Sequence, residues 1–163
     1  MKKIFSFWMI LSFFVITAFG VSYFVGLGAV DYLPTVGGGM KEDTFSLYVG
    51  LSYYWLGGIG VGAQAGYRMM DLFEISLAEG RGLWNVDLGL GVDGTLLTFF
   101  YPGDMPFYAS IGAGVGVFQD FKIDQLKLHS MSMVGIGFST SPLFGWGFGG
   151  IGPTFSSYVG FEF

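Results

Sequence analysis

Apolar residues alternate with glycine or polar residues through most of this chain, at a period of two. In TFSLYVGLSYYW, Phe45, Leu47, Val49, Leu51, Tyr53 and Trp55 fall on one side, and Ser46, Tyr48, Gly50, Ser52 and Tyr54 on the other. GIGVGAQAGYRM sets Ile59, Val61, Ala63, Ala65, Tyr67 and Met69 against Gly60, Gly62, Gln64, Gly66 and Arg68. The parity reverses in LWNVDLGLGVD, where Trp84, Val86, Leu88, Leu90 and Val92 oppose Asn85, Asp87, Gly89, Gly91 and Asp93. Successive side chains of a strand point to opposite faces, so the alternation predicts strands with one apolar face. Eight runs carry it, near 21–30, 44–55, 59–77, 83–100, 106–118, 126–139, 143–149 and 154–163. Turn residues separate them: LGG at 56–58, EGRG at 79–82, PGDMP at 102–106, TSP at 140–142 and GGIGP at 149–153. The stretch 31–43, DYLPTVGGGMKED, reads as a loop, and the only long one.

The content of the two faces decides the environment. Within the core of these runs the apolar side bears no ionisable residue, and Arg68, Glu74, Asp87, Asp93, Lys127, His129 and Glu162 all fall on the glycine side. A band of Leu, Val, Ile and aromatics without charge suits lipid, where a cation at mid-bilayer costs about 2–4 kcal/mol. Backbone groups in lipid must all be paired, so a spanning sheet has to close on itself. The expectation is an all-β chain: an eight-stranded antiparallel up-and-down transmembrane β-barrel at 21–163, preceded by a signal peptide at 1–20.

Composition agrees. The 163 residues are 52% hydrophobic and 12% charged, with 29 glycines, far from the quarter charged of an average soluble domain. Lys2 and Lys3 precede the apolar run IFSFWMILSFFVITAFG, whose exit in small residues (Ala18, Gly20) has the form of a secretory signal peptide. The formal charge of −5 argues against nucleic acid as a partner. With no cysteine there is no disulfide framework, thiolate nucleophile or Cys-ligated metal.

Starting the first strand on the periplasmic side puts turns 56–58, 101–105 and 140–142 in the periplasm, and 31–43, 78–82, 119–125 and 149–153 outside. Tyr23, Trp55, Phe100, Phe107, Phe144, Trp146 and Phe163 then gather as one aromatic girdle at the periplasmic interface. An eight-stranded barrel has room inside only for side chains. Lumenal glycines (26, 28, 60, 62, 66, 89, 91, 112, 114, 116, 135 and 137) would leave volume for Phe24, Tyr48, Tyr108, Phe118, Met131, Met133 and Tyr158.

The leader, eight amphipathic strands and a C-terminal aromatic together resemble the small outer-membrane barrels of diderm bacteria, of the OmpX, OmpW and OmpA-transmembrane-domain type. The resemblance is architectural and covers 21–163. It implies a multi-pass protein of the outer membrane, a monomer in contact with membrane lipid, handled by periplasmic chaperones and the barrel-assembly machinery. It also implies that the last strand carries an assembly signal, which Phe163 and Phe161 match, with Tyr158 standing where a glycine is usual and Gly160 nearby.

Candidate chemistry is sparse. GVGAQAG and GAGVG lack a following GK[ST] and a helix start, so alternation accounts for them. The single histidine excludes a His-rich zinc site. Some eight-stranded barrels modify lipid A with a His-x-Ser pair, but here the order is His129-Ser130-Met131, and the phase turns His129 into the lumen. A tight turn at Gly80–Arg81 would place Arg68 opposite Asp93 as a lumenal ion pair. It would set Glu74 opposite Asp87 as a like-charge pair, unfavourable unless solvated or bridged by Lys, Arg or a cation. Lys127 and His129 complete the lumenal polar set. No catalytic, cofactor or metal site is expected. The functional expectation is a non-enzymatic structural or surface-interacting barrel, then a carrier or narrow conduit for small hydrophobic molecules, then a lipid-modifying enzyme.

Overall fold

A computed structural model describes residues 21–54, 57–77, 81–100, 107–140 and 150–163. Eight antiparallel strands close into one barrel in chain order: β1 (Ser22–Val30), β2 (Leu33–Lys41), β3 (Phe45–Tyr54), β4 (Gly58–Leu77), β5 (Gly82–Phe99), β6 (Phe107–Ile123), β7 (Leu126–Ser139) and β8 (Gly150–Glu162). Every neighbouring pair is antiparallel, and β8 closes the sheet on β1 through Phe24↔Glu162 to Ala29↔Ser157. The Phe163 N–H adds a last bond to the Tyr23 carbonyl at 2.9 Å. Closure leaves no edge around the barrel body, which is how a sheet with an apolar exterior avoids edge-to-edge pairing.

The strand count agrees with the sequence, but one strand is different. The stretch 31–43, expected to be a loop, contains β2. Asp31 and Tyr32 make a tight turn with φ of 49° and 66°, and β2 pairs along its whole length with β1. Gly37, Gly38 and Gly39 hid the alternation by contributing no side chains, although Leu33 and Thr35 point in while Pro34 and Val36 point out. The expected strand at 143–149 lies outside the described residues, and β7 and β8 are bonded directly to each other.

One added strand reverses β3 to β7 relative to β1, while β8 keeps the direction expected for 154–163. Ser22 and Phe163 therefore share an end with Lys41, Phe45, Leu77, Gly82, Ile123 and Leu126, here the proximal end. Val30, Leu33, Tyr54, Gly58, Phe99, Phe107, Ser139 and Gly150 lie at the distal end. The single girdle divides accordingly: Tyr23 and Phe163 are proximal, Phe100 and Phe107 distal, and Trp55, Phe144 and Trp146 lie outside the described residues.

The outer face is apolar. Leu27, Val36, Leu51, Leu96, Ile111, Val134 and Ile136 are all exposed, and among the described residues no ionisable one shares that face in the barrel body. The inner face is filled. All seven large side chains expected inside are buried, with relative exposures from 0% to 4%. Phe24, Tyr48 and Tyr158 stack with centroid separations of 5.2 Å (Phe24–Tyr158) and 4.8 Å (Tyr48–Tyr158). Glycine makes this possible: a methyl on Gly66 would come within 2.4 Å of Met131 Cε and 2.6 Å of Phe118 Cζ, and one on Gly91 within 2.7 Å of Met133 Sδ. Distally, Leu33, Tyr54, Leu97 and Tyr108 form a second apolar cluster.

Candidate functional site: the lumenal ion network

The β4–β5 hairpin extends past the barrel at the proximal end, because β3 begins at Phe45, opposite Tyr67. In β4 the charged residues Arg68, Asp71 and Glu74 are spaced by three, which in a regular strand would scatter them over both faces. Two register shifts, between Arg68 and Met70 and between Asp71 and Phe73, absorb one residue each. All three consequently share the inner face, an effect that β-bulges are suited to produce.

The same shifts correct the expected ion pair. The hairpin closes at Leu77↔Gly82, and with the two bulges Arg68 lies opposite Gly89 while Asp93 lies opposite Gln64. Arg68 and Asp93 do not pair. Arg68 Nη1 instead donates to Asp87 Oδ2 at 3.0 Å and to Asp120 Oδ2 at 2.7 Å, with its guanidinium 5.4 Å from the Phe118 ring centre. The like-charge opposition also moves: Asp71, not Glu74, faces Asp87, and Glu74 pairs with Asn85 at the exposed end.

Asp120 is the hub. Its Oδ1 accepts Lys41 Nζ and His129 Nδ1, each at 2.7 Å, while Oδ2 takes Arg68. Its side chain is 20% exposed and that of His129 0%. Charge-assisted bonds of this length to one carboxylate fix all three donors. Lys41 Nζ also reaches Glu162 Oε2 at 2.9 Å, and Lys127 Nζ lies 3.6 Å from Glu162 Oε1. The network thus ties β2, β4, β5, β6, β7 and β8 together across the proximal mouth. A cavity of about 250 Å³ opens there between Lys41, Asn85, Asp120, Lys122, Lys127 and Glu162.

From the hub the contacts run inward. His129 Nε2 is 2.9 Å from the Tyr158 hydroxyl, which in turn meets Ser46 Oγ at 3.0 Å. An acid, an imidazole and hydroxyls in sequence have the composition of a general-base relay. Here every member past Asp120 is buried, and the carboxylate is already neutralised by Lys41 and Arg68. The imidazole nitrogen that would accept a proton is occupied by Tyr158. The arrangement locks side chains rather than exposing a nucleophile.

Of the residues singled out in the sequence, the structure brings Arg68, Asp87, His129, Lys127 and Tyr158 into this one mouth. It leaves Asp93 in a separate distal layer, bonded to Ser156. Phe161 and Phe163 are exposed on the outer side of β8. Two central residues, Lys41 and Asp120, were assigned to outward loops. Asp120 was nevertheless visible: Phe118, Asp120 and Lys122 continue the inner parity of β6, with Val117, Gln119, Phe121 and Ile123 on the other side. Among the described residues no group of three or more His, Cys, Asp or Glu side chains is arranged to hold a metal ion. Comparison of the chain with protein-family models, with curated proteins and with solved structures found no match.

Proposed function

We propose that this chain is a small integral outer-membrane β-barrel protein with a non-enzymatic role, structural or surface-interacting, and a plugged lumen. The observation that carries the reading is the division of its two faces: an outer wall of exposed aliphatic and aromatic residues without an ionisable group, around an interior occupied by rings, methionines and a neutralising ion network. Such a wall in water would be a very large unshielded apolar surface, whereas lipid matches it. The leader at 1–20 and the Phe161/Phe163 pattern support delivery to the outer membrane through periplasmic chaperones and the assembly machinery. A conduit is disfavoured by the stacked Phe24, Tyr48 and Tyr158, and an enzyme by the enclosed His129.

Orientation follows from turn length. Outer-membrane barrels combine short periplasmic turns with longer external loops. The longest stretches between consecutive strands are those from Phe99 to Phe107 and from Ser139 to Gly150, all four residues at the distal end, which supports an outward distal end and a periplasmic ion network. This keeps β1 and β8 in the expected sense and turns β3 to β7 over, so that the hairpin expected outside at 78–82 belongs to the periplasmic end.

The test is expression in a diderm host, with membrane fractionation and planar-bilayer recording on the purified protein. The expected result is a urea-resistant outer-membrane fraction whose mobility on unheated gels differs from the boiled form, with no steady ion current. Recovery in the soluble periplasmic fraction would overturn the membrane assignment, and a stable conductance would overturn the plugged lumen.

A further inference from the structure

The distal polar layer lacks a positive charge. Asp93 is 4% exposed and Asp31 5%, beneath the cluster of Leu33, Tyr54, Leu97 and Tyr108. Ser156 links them: its hydroxyl donates to Asp93 Oδ2 and accepts the Asp31 backbone N–H at 2.9 Å, while the Tyr108 hydroxyl donates to Asp31 Oδ2. Among the described residues no Lys, Arg or His pairs with either carboxylate. Lys41, Arg68, Lys127 and His129 are engaged at the proximal mouth, and Arg81 and Lys122 flank the proximal turns. Two enclosed carboxylates without a counter-charge are costly.

Three buried oxygens in the same layer also lack a hydrogen-bond partner: Asp93 Oδ1, Gln64 Oε1 and Thr154 Oγ1. Gln64 is 1% exposed and Thr154 5%. Gln64 and Gly112 are the two cross-strand neighbours of Asp93, so all point to the inner side. A methyl placed on Gly112 would sit 2.4 Å from Asp93 Oδ1 and 2.8 Å from Thr154 Oγ1, so both oxygens border the space over that glycine. Gln64 Nε2 is directed to the Ser156 carbonyl at 3.4 Å, which turns Oε1 the other way. A carboxylate and a carboxamide oxygen only accept, so neither can satisfy the other. A cation held by oxygen would satisfy these atoms and balance the two carboxylates together.

We propose that Asp93, Gln64 and Thr154 bind a hard divalent cation of the calcium class, with Asp31 supplying the second negative charge. The donor set is all oxygen, which suits calcium and not the nitrogen- or sulfur-preferring metals. Ser156 holds the Asp93 carboxylate in place, and water completes the coordination. One divalent ion balances both carboxylates.

The experiment uses the full barrel refolded in detergent micelles and stripped with EDTA. Calcium chloride is titrated by calorimetry and by thermal unfolding, with magnesium and sodium chloride as parallel arms. The expected result is one calcium per chain and a rise in unfolding temperature that magnesium and sodium do not reproduce. Asp93→Asn should abolish the rise. Thr154→Val and Gln64→Leu, which keep the barrel closed as judged by gel mobility, should each weaken binding by about tenfold or more. Asp71→Asn at the proximal end should leave it unchanged. Absence of calcium uptake by the unmodified chain would show that a proton or a water fills the layer and would overturn the proposal. So would uptake that survives Thr154→Val and Gln64→Leu but is lost in Asp71→Asn.

Discussion

A double-mutant cycle distinguishes the register observed from the one the sequence suggests. Arg68 is 2.7 Å from Asp120 and 3.0 Å from Asp87, and Asp93 belongs to another layer. Replacing Asp120 by Asn removes the acceptor of Lys41, Arg68 and His129 together. Breaking a buried pair costs about 3–5 kcal/mol. The Asp120 side chain is 20% exposed and Glu162 and Asp87 remain to hold Lys41 and Arg68, so the lower figure applies, about 3 kcal/mol. For a chain of this length that is a fall in unfolding temperature of about 6–12 °C. Arg68→Met should cost slightly less, and Arg68→Met with Asp120→Asn should show a coupling of about 1–2 kcal/mol. The parallel cycle of Arg68→Met with Asp93→Asn should be additive to within about 0.5 kcal/mol. The assay is urea unfolding of the folded barrel in lipid vesicles, followed by tryptophan fluorescence and gel mobility. A larger coupling in the Asp93 cycle than in the Asp120 cycle would refute the bulged register.

Tyr158→Phe keeps the ring stack but removes the hydroxyl between His129 Nε2 and Ser46, leaving a buried imidazole nitrogen unsatisfied; a loss of about 1–3 kcal/mol in the same unfolding assay is expected. Orientation is read by single cysteines in a chain that has none of its own: Thr140→Cys should react with a membrane-impermeant maleimide on intact cells, and Asp124→Cys only after the outer membrane is opened. The reverse pattern would place the proximal end outside.

Much of the interior was legible because it obeys one rule. Phe24, Tyr48, Tyr108, Phe118, Met131, Met133 and Tyr158 sit on the parity of the glycines, and parity is all a strand needs to assign a face. Position along the barrel was harder. Gly37–Gly39 carry no side chains to alternate, so β2 read as loop, and its loss reversed β3 to β7. The bulges at 69 and 72 show only as a break in the alternation from Met69 to Phe73, which does not by itself say how far the register moves. The register between β4 and β5 slipped by four residues at Arg68, from Asp93 to Gly89, two from the bulges and two from a hairpin that closes at Leu77↔Gly82. Arg68 was correctly placed inside but given the wrong acid. Asp120 was missed because β6 was ended at 118, where its alternation in fact runs on to Ile123.

The seam between β1 and β8 has a consequence for how the barrel is made. Every other pairing joins strands that are consecutive in the chain, and can form locally as a hairpin. Phe24 must find Glu162, and Ala29 must find Ser157, across nearly the whole chain. Closing so long a loop costs entropy that no contact repays until the end, and non-local pairing of this kind is slow. The expected intermediate is a curled, nearly complete sheet with β1 and β8 as two unsatisfied edges and the Phe24–Tyr158 stack only half assembled. That is the species most exposed to aggregation, and the one a chaperone or an assembly catalyst would have to hold.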